Sequence, residues 1–125
     1  MTGQRLRTKR VYEPAGPDDG ARVLVDRLWP RGVSREGARI ALWLKDIAPS
    51  DALRKRFHGK PEDWSLFCDA YAEELAEPAV QSAIERVRTC LRDGPVTLLY
   101  AARDTERNNA VALKAWLERT FEDQA

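Results

Sequence analysis

Residues 22 to 32 read Arg-Val-Leu-Val-Asp-Arg-Leu-Trp-Pro-Arg-Gly, an apolar run that turns abruptly to charge. Val23-Leu24-Val25 has the unbroken apolar character of a strand buried on both faces. Such a strand needs a sheet around it and a layer over each face. Its switch to Asp26, Arg27, Trp29 and Arg31 around Pro30 and Gly32 puts polar groups at the rim of that sheet. A second run, Val96 to Ala102, ends in the same way at Arg103-Asp104-Thr105. In open α/β sheets, ligands gather at the carboxyl ends of strands. The two strand ends are therefore the first place to look for a site.

The rest of the chain supplies the layers. Arg5 to Tyr12 reads as a first strand through Leu6, Thr8, Val11 and Tyr12. Glu13 to Gly20 is dense in turn residues. So short a connection favours a hairpin to the next strand; if the pair is parallel, another strand lies between them. Ala38 to Trp43 is moderately apolar, a short strand or a turn of helix. Ser50 is placed to cap a short helix from Asp51 that stops near His58-Gly59. Pro61 opens the next helix, with Trp64, Phe67, Cys68, Tyr71 and Leu75 at helical spacing. Pro78 ends it and opens another, carrying Val80, Ile84, Val87 and Leu91 and stopped by Asp93-Gly94-Pro95. Asp104 or Thr105 caps a final helix whose apolar face is Ala110, Leu113, Trp116, Leu117 and Phe121. The fold class expected is α/β: one domain over residues 1–125, a small sandwich with a short, mainly parallel sheet packed by four or five helices.

Composition narrows the function classes. With 43% hydrophobic residues in 125, the chain can build a core. Charged residues make up 33%, yet the net charge is +1, which gives no global attraction to nucleic acid or an anionic membrane. The cations are 16 Arg and 5 Lys, and arginine grips phosphate and carboxylate as a planar fork. No apolar run approaches the roughly 20 residues of a membrane span. The basic start lacks the apolar segment of a secretory signal, and the two cysteines read as reduced thiols of a cytoplasmic protein. Cys68 and Cys90 have no CxxC spacing, and His58 is the only histidine; neither a zinc site nor any cofactor is implied.

If the two strand ends meet, Arg27, Arg31 and Arg103 share a rim with Asp26 and Asp104. The N-terminus of the last helix, with Asn108 and Asn109, points there too and suits an anion. The candidate ligand-binding set is Asp26, Arg27, Trp29, Arg31, Tyr100, Arg103, Asp104 and Asn108, with no metal ligand and no catalytic residue assigned. A plainer reading stands beside it: Asp26 as a salt bridge to Arg27 or Arg103, and Asp104 as a cap. A carboxylate among arginines has a lowered pKa, which would make Asp26 a poor general acid. Exposed, Trp29 and Trp43 could stack on a ring; buried, they are core, as Trp64 and Trp116 are. His58 suits a helix C-terminus better than catalysis, since no nucleophile motif accompanies it. Cys68, on the Trp64–Tyr71 face, reads as a packed thiol.

The residues also carry a family likeness. Arg10-Val11-Tyr12-Glu13, Asp19-Gly20, and Val25-Asp26-Arg27-Leu28-Trp29-Pro30-Arg31-Gly32 resemble the YeaO-like proteins, a group within domain of unknown function 488. The likeness runs on through Trp43-Leu44-Lys45, Ile47-Ala48-Pro49-Ser50, Leu53-Arg54, Trp64, Phe67 and Tyr71, and closes with Thr97 to Asp104 and Asn108. It implies a small cytoplasmic bacterial α/β protein of no settled activity. The family's last block usually reads Asn-His-Ala, where this chain has Asn108-Asn109-Ala110. More distant members carry a Cys and a Cys-His-Arg sequence around the last strand and helix. Tyr100 and Asn108-Asn109 stand in that region here, so the resemblance brings no thiol chemistry with it.

The expectation is a domain with a small anionic ligand, phosphate or carboxylate, at the carboxyl ends of its strands. One alternative is a nucleic-acid-binding module using Arg5, Arg7, Lys9, Arg10 and exposed tryptophans, which the charge balance does not favour. The other is a protein-interaction domain. No membrane partner is expected.

Overall fold

The computed structural model describes residues 5–123. Four strands form one sheet: β1 (Leu6–Arg10), β2 (Ala21–Leu24), β3 (Leu42–Trp43) and β4 (Val96–Tyr100). Their spatial order is β1-β4-β2-β3, and every pairing is parallel. β4 and β2 are the inner strands; β4 pairs Leu6 with Val96 on one side and Ala21 with Val96 on the other, and β3 pairs only with β2. All five of its residues are buried, as the run of apolar residues requires.

The expected hairpin between β1 and β2 does not form. β4 lies between them, so residues 11–20 make a crossover instead of a tight turn. Ten residues reach about 33 Å, which exceeds both a five-residue strand and the roughly 10 Å across two strand spacings. A salt-bridge cluster holds the crossover in place. The Asp19 carboxylate accepts from Arg22 Nη1 at 2.7 Å and Lys9 Nζ at 3.1 Å, and Thr97 Oγ1 donates to the Asp19 carbonyl at 2.8 Å. Gly20 closes the crossover at φ +63°, where a Cβ would overlap the Pro95 carbonyl.

Four helices follow, with boundaries set by local chemistry. In α1 (Asp51–Phe57) the Ser50 hydroxyl accepts from Leu53 N, and Gly59 at φ +70° lets the chain leave. A 3₁₀ turn at Pro61–Asp63 leads into α2 (Trp64–Leu75), and another at Pro78–Val80 into α3 (Gln81–Asp93). The last helix, α4 (Asn109–Asp123), is not capped by Asp104 or Thr105 as expected. Asp104 Oδ1 accepts from the N–H groups of Glu106 and Arg107, which closes a turn first. Asn108 then caps the helix, its Oδ1 accepting from Val111 N at 2.9 Å.

The two faces of the sheet are covered differently. Leu6, Val23, Val25, Val96, Leu98 and Tyr100 join the main core with residues of all four helices. Leu24 and Leu99, facing the other way, pack with Val11, Trp29, Val33, Ala38, Ile40 and Trp43. One face therefore carries the helical layer, while the segment between β2 and β3, with Val11 and Ala101, covers the other.

Candidate functional site

The parallel pairing of β2 with β4 brings the two charged strand ends side by side. Val25 N donates to the Leu99 carbonyl at 3.1 Å, and one step further Ala101 N donates to Asp26 Oδ2 at 2.9 Å. On the other oxygen, Asp26 Oδ1 accepts from Asn109 Nδ2 at 3.0 Å. The same amide donates to the Val25 carbonyl at 3.0 Å. Asp26 is thus a clasp between β2, the exit of β4 and the first turn of α4.

Among the described residues no arginine forms a salt bridge with this carboxylate, contrary to the expected pairing with Arg27 or Arg103. Its pKa moves the other way as well. Burial raises it above the usual Asp value, and the bonds from Asn109 and Ala101 and the charge of Arg54 only partly oppose that. The arginine that is buried with a carboxylate is Arg22, on Asp19. Burial also pushes Asp19 up, but the hydrogen bonds from Gly16 N, Arg22 and Lys9 outweigh it and leave the pKa lowered.

Beside Asp26 opens a cleft of about 590 Å³. Asp26, Asn108 and Asn109 contribute polar groups from the strand end and helix start. Arg27, Arg54, Lys60 and Arg107 bring positive charge, with Asp104 opposing. Trp29, Phe57, Trp64 and Phe67 give aromatic surface, and Pro30, Ala48 and Pro49 fill between. Arg27 is anchored by bonds to the Pro49 and Ala48 carbonyls at 3.3 and 3.2 Å. Arg54 pairs with exposed Asp51, at 3.3 Å. Among the described residues, Lys60 and Arg107 have no carboxylate within ion-pair distance.

Of the residues expected to bind a ligand, Asp26, Arg27, Trp29, Asp104 and Asn108 line this cleft; Arg31, Tyr100 and Arg103 do not. Arg31 is exposed, and its carbonyl accepts from Tyr12 Oη at 3.1 Å. Arg103 is exposed as well. Tyr100 is buried in the main core, and that burial raises its pKa. Trp29 and Trp43 are half-buried, meeting edge to face at 5.3 Å with their N–H groups on the Val33 and Asp26 carbonyls. Only Trp29 of the pair reaches the cleft.

The far wall was not legible as a site. Arg54, Phe57, His58, Lys60, Trp64 and Phe67 come from α1, α2 and the joint between them. Trp64, expected to be simply core, is half-buried: it stacks on Phe67 at 5.6 Å and shows part of its surface to the cleft. Aromatics on both sides of His58-Gly59-Lys60-Pro61 are the one sequence signal that could have marked this wall. Cys68 packs against the main core, and burial raises its pKa, so it is no activated thiolate. Among the described residues, no three His, Cys, Asp or Glu cluster as a metal would need, and no helix is long and apolar enough to cross a membrane.

Comparison with known proteins gives relatives without assigned activities. The chain is 43% identical over 112 residues to the uncharacterized protein YeaO of Escherichia coli, spanning 90% of this chain and 96% of that one. It is 42% identical over 109 residues to the uncharacterized proteins Mb3100c of Mycobacterium bovis and Rv3073c of Mycobacterium tuberculosis, 87% of this chain and 90% of each. No solved structure matches. The family model described as the inactive DUF488-N3 subclade matches residues 5–125, nearly the whole length, and the chain belongs to that family.

Proposed function

We propose that this protein is a non-catalytic binding domain for a small anionic ligand, phosphate or carboxylate, held in the cleft at the carboxyl ends of β2 and β4. The observation that carries the reading is the charge of that one concavity. Arg27, Arg54, Lys60 and Arg107 face two carboxylates, Asp26 and Asp104, in a chain whose net charge is only +1. Arginine forks next to low-dielectric aromatic walls favour an anion more than the same charges spread over a surface. The volume lies within the range of small-molecule sites. The family's description as inactive supports the non-catalytic part of the reading.

The nucleic-acid alternative has less support. Lys9 is spent on Asp19, and Arg10 on the Ala101 and Ala102 carbonyls. Of the Trp29–Trp43 pair only Trp29 lines the cleft, so the two do not form a row of stacking rings along it.

The test is a titration with phosphate monoesters and small carboxylates, followed by tryptophan fluorescence, since Trp29 and Trp64 line the cleft. Saturable quenching is expected, weakened about tenfold or more in Arg54→Ala and Arg107→Ala, because a bond to a charged group is worth about 1.5–3 kcal/mol. Both positions are exposed, so folding should be unchanged. No response to any anion, or a response indifferent to both substitutions, would refute the reading.

A further inference from the structure

We infer that the ligand is a free nucleotide whose base carries two adjacent N–H donors, a guanine-type ring, with its phosphate toward the cationic rim. This rests on the anion-binding reading above and specifies the part of the ligand that is not the anion.

The cleft is graded from floor to rim. Asn108 is buried and Asp26 and Asn109 half-buried, whereas Arg54, Lys60 and Arg107 are exposed. An anion therefore belongs at the mouth, and something else fills the interior. The interior walls are aromatic, with Trp64 stacked on Phe67 and Phe67 edge-on to Phe57 at 5.8 Å. A flat ring is the ligand part that such walls take up best.

The floor offers acceptors. Each Asp26 oxygen already holds one internal donor, Ala101 N or Asn109 Nδ2, which fixes the carboxylate in place. Each oxygen keeps a further lone pair, so the fork can accept two more N–H groups. Both hydrogens of the Asn109 amide are committed, to Val25 O and Asp26 Oδ1, which leaves its Oδ1 as another acceptor. A ring that presents N–H and NH₂ side by side matches a carboxylate fork. Guanine does so at N1 and its 2-amino group, hypoxanthine offers only the N1 hydrogen, and adenine turns an acceptor toward it.

The experiment compares binding of GMP, IMP, AMP and inorganic phosphate by calorimetry, in the wild-type chain and in Asp26→Asn. GMP should bind about 10- to 100-fold tighter than IMP, the worth of one hydrogen bond to a charged group, and tighter still than AMP. Asp26→Asn keeps one of the two clasp acceptors. With its melting curve as the check on folding, a folded variant should lose the preference for GMP over IMP and still bind phosphate; if it does not fold, the wild-type ratio of GMP to IMP decides alone. Equal affinity for the three nucleotides would overturn the base assignment and leave the anion site standing. Failure of phosphate and all nucleotides to bind would remove both. A short single strand with one guanosine that binds tighter than GMP, with steep salt dependence, would overturn the assignment to a free nucleotide.

Discussion

At the scale of single residues, two aspartates with opposite environments dominate. Asp19 and Arg22 are a desolvated pair, with side chains 6% and 2% exposed. Removing one partner strands a buried charge, so Asp19→Ala should cost about 3–5 kcal/mol in denaturant unfolding. The folded pKa of Asp19 lies below its unfolded value. Its contribution is therefore complete above the ordinary Asp value of about 4 and is lost as pH falls through the lowered folded value. An acid titration of stability should show that loss in the wild type and not in Asp19→Asn. Asp26 has the reverse sign: its pKa is raised by burial, so its ionisation weakens the fold as pH rises through that value. Gly20→Ala belongs at this scale too. The residue sits at φ +63° against the Pro95 carbonyl, and a loss of at least about 2 kcal/mol is expected by thermal melting. The Asp19–Arg22 pair was hidden because an arginine opening an apolar run looks like its boundary. What buries it is the loop between β2 and β3, whose Ala38 carbonyl accepts from Arg22 Nε at 2.7 Å.

At the scale of elements, β4 sets the arrangement. Leu98 packs with the helices and Leu99 with the loop layer, and both are fully buried. Leu98→Ala and Leu99→Ala should each cost about 2–5 kcal/mol. The Leu99 change should be the smaller, since an irregular loop can collapse into the space more readily than packed helices; chemical denaturation of the two variants measures the difference. The helices were readable because their ends are written locally. Ser50, Gly59, Pro61 and Pro78 each act within a turn of their own position. The start of α4 was misplaced because Asp104, Thr105, Asn108 and Asn109 all have capping chemistry. The choice fell to Asn108 once Asp104 had closed its own turn.

At the scale of the molecule, the cleft depends on how distant segments are tied. Arg10 Nε and Nη2 donate to the Ala102 and Ala101 carbonyls at 2.9 and 3.0 Å, so the end of β1 holds the segment that positions Asp26. Arg10→Ala should cost about 1–3 kcal/mol and weaken GMP binding, although Arg10 does not line the cleft. Unfolding and calorimetry on one preparation separate the two effects. The sequence alone determined the buried strands β2 and β4, the helical stretches and the Ser50 cap, because apolar periodicity and capping act over a few residues; the strand order, the Asn108 cap and the meeting of the two polar strand ends came from the fold. The tertiary structure decided which cations share a cavity. Arg31 and Arg103 follow the two strands in the chain yet lie outside the cleft, while Arg54, Lys60 and Arg107 reach it. The direction in which a side chain leaves an irregular segment is set by packing between parts of the chain far apart in sequence, and no local pattern records it.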